Sequence, residues 1–125
     1  MSAVEKILRK VEQDRNRGHD ERALSRLKTA LSERPQEFLL VREAAALCFE
    51  LGRTVEATTI LRGALRRCPQ ARPDILQLAR DEFERNKPPE LAEFLFDLHL
   101  SDSDVERARD VVRALEVTDL ETLLL

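Results

Sequence analysis

Residues that serve tight turns or close helix contacts return in this chain at a spacing of 34 positions. Gly18 and Gly52 are followed at the next step by Asn86. Ala23 recurs as Ala57, Ala30 as Ala64 and Pro35 as Pro69, while Leu27, Leu61 and Leu95 hold the same interval. A fixed period of this length implies stacked like units rather than one irregular globule. A chain of 125 residues accommodates one domain built from such units.

Apolar residues between these markers follow a helical period. Val4, Ile7, Leu8 and Val11 form one stripe at i, i+3, i+4 and i+7, preceded by a capping box in Ser2 and Glu5. Gly18 stops that helix, as glycine does in the left-handed conformation. A second helix is expected over 20–33, with Ala23, Leu24, Leu27, Ala30 and Leu31 inward. A third over 37–51 turns Phe38, Val41, Ala44, Ala45 and Cys48 inward. A fourth over 54–67 buries Ala57, Ile60, Leu61, Ala64 and Leu65. Pro73 starts the fifth, with Ile75, Leu78, Ala79 and Phe83, and Asn86 takes the turn position that glycine held before. Pro88 and Pro89 open the sixth, with Leu91, Ala92, Leu95, Phe96 and Leu98, and Phe94 as a further large apolar residue.

Beyond Leu100 the repeat fades. Ser103 with Glu106 is read as a second capping box, before a stripe of Val105, Ala108, Val111, Val112 and Leu115. Thr118 with Glu121 is a third, before a short final segment. Residues 103–125 are expected to cap the last hairpin, as solenoids require.

Composition narrows the function classes. Charged residues make up 36% and hydrophobic ones 42%, too apolar for a disordered chain and too charged for a membrane protein. A net charge of −3 without Trp or Tyr argues against nucleic acid as partner. No apolar run approaches the ~20 residues of a membrane span. The first ten residues carry Glu5, Lys6, Arg9 and Lys10, so no signal peptide is read there. Cys48 and Cys68 fall toward opposite ends of one hairpin, beyond disulfide reach, which fits reduced thiols and a cytoplasmic setting.

With these markers in place, the chain resembles the tetratricopeptide-repeat family, whose 34-residue unit is a pair of antiparallel helices. Residues 38–71 match best, through Val41, Ala44, Ala45, Cys48, Gly52, Ala57, Leu61, Ala64 and Pro69. Residues 4–37 match mainly in their second helix, through Ala23, Leu27, Ala30 and Pro35. Residues 72–105 keep Ile75, Leu78, Ala79 and Leu95, but place Leu91 and Leu98 at the small-residue positions and Ser103 where proline is expected. Asp14 and Glu82 stand where the family has an aromatic. The resemblance implies an all-α fold, a right-handed superhelix of antiparallel helical hairpins (an α-solenoid) with a C-terminal capping helix. It also implies a protein or peptide bound in the concave groove of the first helices. By position that groove is lined by Arg9 and Glu12, then Arg42, Ala46 and Phe49, then Leu76, Arg80 and Phe83. Arg42 and Arg80 are candidates to grip a carboxylate; as plain solvated helix charges they would do nothing.

The remaining constellations favour structure over chemistry. His19 and His99 are far apart, without metal-ligand spacing, and are read as exposed. Cys48 is read as core and Cys68 as exposed near a helix end; neither has CxxC spacing. The acidic run at Asp102 lacks the glycine and glutamate of a calcium loop. Asp81, Glu82 and Glu84 have no nucleophile beside them. Arg62, Arg66, Arg67 and Arg72 are read as a solvated face with Glu56 in reach.

Leu120, Leu123, Leu124 and Leu125 need cover, either by packing back, by self-association into a homodimer, or by a further element of a longer protein. The expected role is a non-enzymatic binding scaffold without cofactor or metal. The alternatives are a self-associating structural subunit and a regulatory domain of a larger signalling or secretion protein.

Overall fold

The structure, a computed structural model, describes residues 2–86 and 88–124, with side chains as far as residue 114. Among the described residues seven helices follow one another: α1 (Ala3–Asn16), α2 (Asp20–Glu33), α3 (Phe38–Glu50), α4 (Thr54–Arg67), α5 (Arg72–Asn86), α6 (Pro89–Ser101) and α7 (Val105–Leu124). A single 3-10 turn, Pro69–Ala71, follows α4, and no strand occurs among the described residues. The chain divides into two compact units, Met1–Arg72 and Pro73–Leu125.

Local chemistry explains most helix ends. Ser2 Oγ accepts from the Glu5 amide at 3.1 Å, and the Glu5 carboxylate accepts from the Ser2 amide at 3.4 Å, so the first capping box forms. Acids in the first turn of α2 (Asp20, Glu21) and arginines in the last turn of α4 (Arg66, Arg67) complement the helix dipoles. Pro88 and Pro89 start α6 at positions where the helix needs no amide.

One turn geometry occurs three times among the described residues. Gly18 and Gly52 adopt left-handed φ values of 77° and 75°. The amide of the next residue then reaches back to close the preceding helix, His19 to the Asp14 carbonyl and Arg53 to the Cys48 carbonyl, each at 2.8 Å. The third copy is not at Asn86, which ends α5 as a helical residue and donates from Nδ2 to Glu82 at 2.8 Å. It is at Ser103, with φ of 60°, where the Asp104 amide reaches the His99 carbonyl at 2.7 Å. The hairpin sharing the geometry of α1/α2 and α3/α4 is therefore α6/α7. Cys48, Gly52, Ala57 and Ile60 correspond there to His99, Ser103, Ala108 and Val111.

Two expected caps are overturned in this region. Ser103 lies in the turn, and the cap of α7 is Asp104, whose carboxylate accepts from the Arg107 amide at 3.2 Å. Thr118 starts nothing, since α7 runs through it as one 20-residue helix.

In the first unit α3 packs against both α2 and α4, and α1 against α2. Ala23 and Ala57 are wholly buried, which lets the paired helices approach closely. Leu24, Leu27, Leu40, Leu47 and Cys48 fill the centre of the core. The inward stripe expected for α3 omitted Leu40 and Leu47, which are buried because this helix has a neighbour on each side. Cys68 is buried too, against the expectation of exposure, beside the 3-10 turn that folds back under α4.

Arg15 pairs with Glu50, Arg53 with Glu21 and Lys28 with Glu56, joining consecutive hairpins at the surface. Exposed pairs of this kind contribute little each, about 0–1 kcal/mol. Glu56 is thus engaged by Lys28, and by Arg53 at 3.8 Å.

In the second unit Ile75, Ala79, Leu91, Ala92, Phe94, Leu95, Leu98 and Ala108 are buried. Phe94 takes the place expected of Phe96, which is half-buried. Val105 and Val112, expected inward, are exposed.

Candidate functional site

The first helices of the first unit, α1 and α3, flank a cleft of about 560 Å³. Leu8 and Val11 form its apolar floor, and Glu12, Arg15, Asn16, Asp20 and Glu43 its walls. The Arg15–Glu50 pair bridges the same two helices. Of the groove residues read from the sequence, Glu12 lines this cleft. Arg9 is exposed outside it, and Arg42 is exposed 3.5 Å from the Glu43 carboxylate beside it. Ala46 is half-buried, and Phe49 packs against the core cluster, so that ring is already engaged. Glu43 and Arg15 were not foreseen as lining residues.

The second unit holds a smaller cavity of about 230 Å³, to which three helices contribute. Phe83 from α5, Leu95 from α6 and Val111 from α7 supply apolar lining. Arg80, Glu84, His99, Arg107 and Asp110 supply polar and charged groups. Arg80 and Phe83 were both picked from the sequence; Leu76 is half-buried and not part of the lining. Two of the charges are engaged locally: Arg107 Nε lies 3.3 Å from Asp104, and Arg113 lies 4.0 Å from Asp110. No carboxylate pairs with Arg80 among the described residues. Arg42 stands in the first unit and Arg80 in the second.

His99 corrects the expectation of an exposed histidine: it is 3% exposed. The reason lies in the third turn. His99 holds the hairpin position that Cys48 holds in the second hairpin and Asp14 in the first, and all three are buried. Burial pushes the His99 pKa down from its ordinary 6.5. Asp104 and Asp102 pull it up, and Arg80 and Arg107 push it further down. The folded state thus keeps the imidazole neutral to lower pH than the unfolded chain does.

The sign follows directly. The stability His99 contributes is present above pH 6.5 and is lost as pH falls through its lower folded-state value. One proton accounts for a slope of at most about 1.4 kcal/mol per pH unit. Urea unfolding between pH 7.5 and pH 5 is expected to show that slope in the native chain and a flatter one in His99→Gln. Equal slopes would sink this assignment.

Among the described residues the acids of α5 and the Cys48 thiol form no second site. Asp81 accepts from Gln77 Nε2 at 2.8 Å on the exposed side of α5. Glu82 is buried and holds Arg85 at 2.9 Å and Asn86 at 2.8 Å. Glu84 turns to the cavity. Asp81 and Glu84 are neighbours at i, i+3, but Asp81 is taken up by Gln77 and Glu84 lines the cavity, while Glu82 is held by Arg85 and Asn86. Burial raises the Cys48 pKa, against the opposing pull of Lys28 and Arg53, so the thiol stays protonated. Among the described residues no group of His, Cys, Asp or Glu is placed to hold a metal ion, and no helix is long and apolar enough to cross a membrane. The side chains of Leu120, Leu123 and Leu124, and the whole of Leu125, lie outside the described residues.

No protein-family model, curated protein or solved structure matches the chain.

Proposed function

We propose that the chain is a non-enzymatic adaptor that holds a protein or peptide segment against the first helices of its repeats. The observation carrying this reading is the cavity of the second unit. There Arg80, which has no ion-pair partner among the described residues, shares the lining with apolar Phe83, Leu95 and Val111 and with the acids Glu84 and Asp110. At about 230 Å³ the cavity falls below the roughly 300–1,000 Å³ of a small-molecule pocket, a size suited to one side chain of a larger partner. The α1–α3 cleft, with Glu12 and Glu43 on its walls, offers a second contact on the other unit.

The tetratricopeptide-like character of the repeats, their continuation as a right-handed superhelix and a cytoplasmic setting belong to this proposal. It involves neither nucleic acid nor membrane.

Selection of a displayed random-peptide library on the whole chain tests it. The expected result is a recurrent peptide motif whose affinity drops about tenfold in Arg80→Gln, the loss of one charged contact at a half-buried arginine. The reading is overturned if no motif is enriched, or if every selected peptide binds Arg80→Gln and Glu12→Lys as tightly as the native chain.

A further inference from the structure

The α6/α7 hairpin carries an apolar groove that plays no part in either cleft described above. Leu100, Val105 and Val112 are 46%, 49% and 38% exposed, and with the half-buried Phe96 they line a depression of about 430 Å³. Single exposed apolar residues are ordinary, but a cluster of them marks a contact surface. Its walls include Arg109 and Arg113, and among the described residues no acidic side chain lines it. Among the described residues Arg113 is paired with Asp110, 4.0 Å away on its own helix with both groups largely in solvent. The helix divides its work by register: Arg107, Asp110 and Val111 serve the His99 cavity, while Val105, Arg109, Val112 and Arg113 serve the groove.

These features select one kind of occupant. We infer that the groove binds an acidic amphipathic helix of a partner protein. Its apolar side chains, spaced i, i+3/i+4 and i+7, would cover Leu100, Val105 and Val112, and its flanking Asp or Glu would meet Arg109 and Arg113. A second copy of the chain seated face to face by a two-fold axis is disfavoured by charge. The same patch would meet itself, setting arginines against arginines. This surface is separate from the cavity around Arg80, so each can fail without the other.

Fluorescence anisotropy with the whole chain tests the inference. The probe is a labelled helical peptide of about five turns with one leucine stripe flanked by glutamates; its counterpart carries lysine at each glutamate. The acidic peptide is expected to bind and the basic one not. Arg109→Glu/Arg113→Glu should weaken the acidic peptide about tenfold or more and admit the basic one, a charge-sign reversal that misfolding would not produce. Arg80→Gln should leave this binding unchanged. Equal binding of both peptides would reduce the groove to unselective stickiness and overturn the inference. So would retention of the acidic peptide by the double-glutamate variant. Binding to phosphatidylserine vesicles in preference to either peptide would assign the surface to lipid instead. A concentration-dependent dimer by light scattering, abolished by Val105→Ser/Val112→Ser, would assign it to a second copy.

Discussion

Replacing Leu40 by alanine is expected to destabilise the first unit by about 2–5 kcal/mol, the range for removing a fully buried leucine and leaving a cavity behind. Its neighbour Leu39 provides the control. Leu40 is 0% exposed and Leu39 is 43% exposed, so Leu39→Ala should cost no more than about 0.5 kcal/mol. The contrast matters because the two residues are chemically identical and adjacent, so helix propensity cancels between them. What differs is that α3 lies against both α2 and α4, which covers the Leu40 side of the helix and leaves Leu39 in water. Urea unfolding of the two variants reads the difference in midpoint. Equal losses would mean that the packing of α3 is not as described.

Arg26→Met is expected to cost about 1–3 kcal/mol, because it strips the partner from a buried carboxylate. Asp14 is 5% exposed and accepts from Arg26 Nε at 2.6 Å across the α1/α2 hairpin. The arginine itself reaches solvent, which keeps the figure below that for a wholly buried pair. The second hairpin shows what the same site looks like without charge: Cys48 stands where Asp14 stands, and Ile60 where Arg26 stands. Both are packed into the core of the first unit. The double variant Asp14→Cys/Arg26→Ile, which copies that pair, should therefore regain most of the stability that Arg26→Met loses. If the double variant is no better than the single one, the two hairpins do not share a packing site and their equivalence fails. The corresponding pair of the third hairpin, His99 with Val111, shows a third solution at the same place, an imidazole beside an aliphatic residue.

Three of the eight groove residues read from the sequence line the α1–α3 cleft or the cavity of the second unit, and the other five line neither. Glu12, Arg80 and Phe83 were placed by the resemblance to a 34-residue helical repeat, and each lines a cleft or cavity. Arg15 shares the α1 face of Leu8 and Glu12 at helical spacing and was open to the same reasoning, whereas Glu43, Arg107 and Asp110 come from other helices, which no spacing within one helix announces. His99 had a usable signal: Ser103 and Ala108 follow it as Gly52 and Ala57 follow Cys48. That signal was masked by the expectation that the 34-residue step continues to Asn86.

The helices themselves were written into the chain. The limits of α2 and α4, the left-handed turns at Gly18 and Gly52 and the capping box at Ser2 all follow from interactions within a few residues. Such interactions depend on the local chain alone. Tertiary packing decided the rest: the two-sided burial of α3, the covering of Cys68 and His99, and the exposure of Val105 and Val112. An apolar stripe states only that a helix wants cover. How many of its faces receive it depends on how many neighbours arrive, and that is set by contacts between residues far apart in sequence.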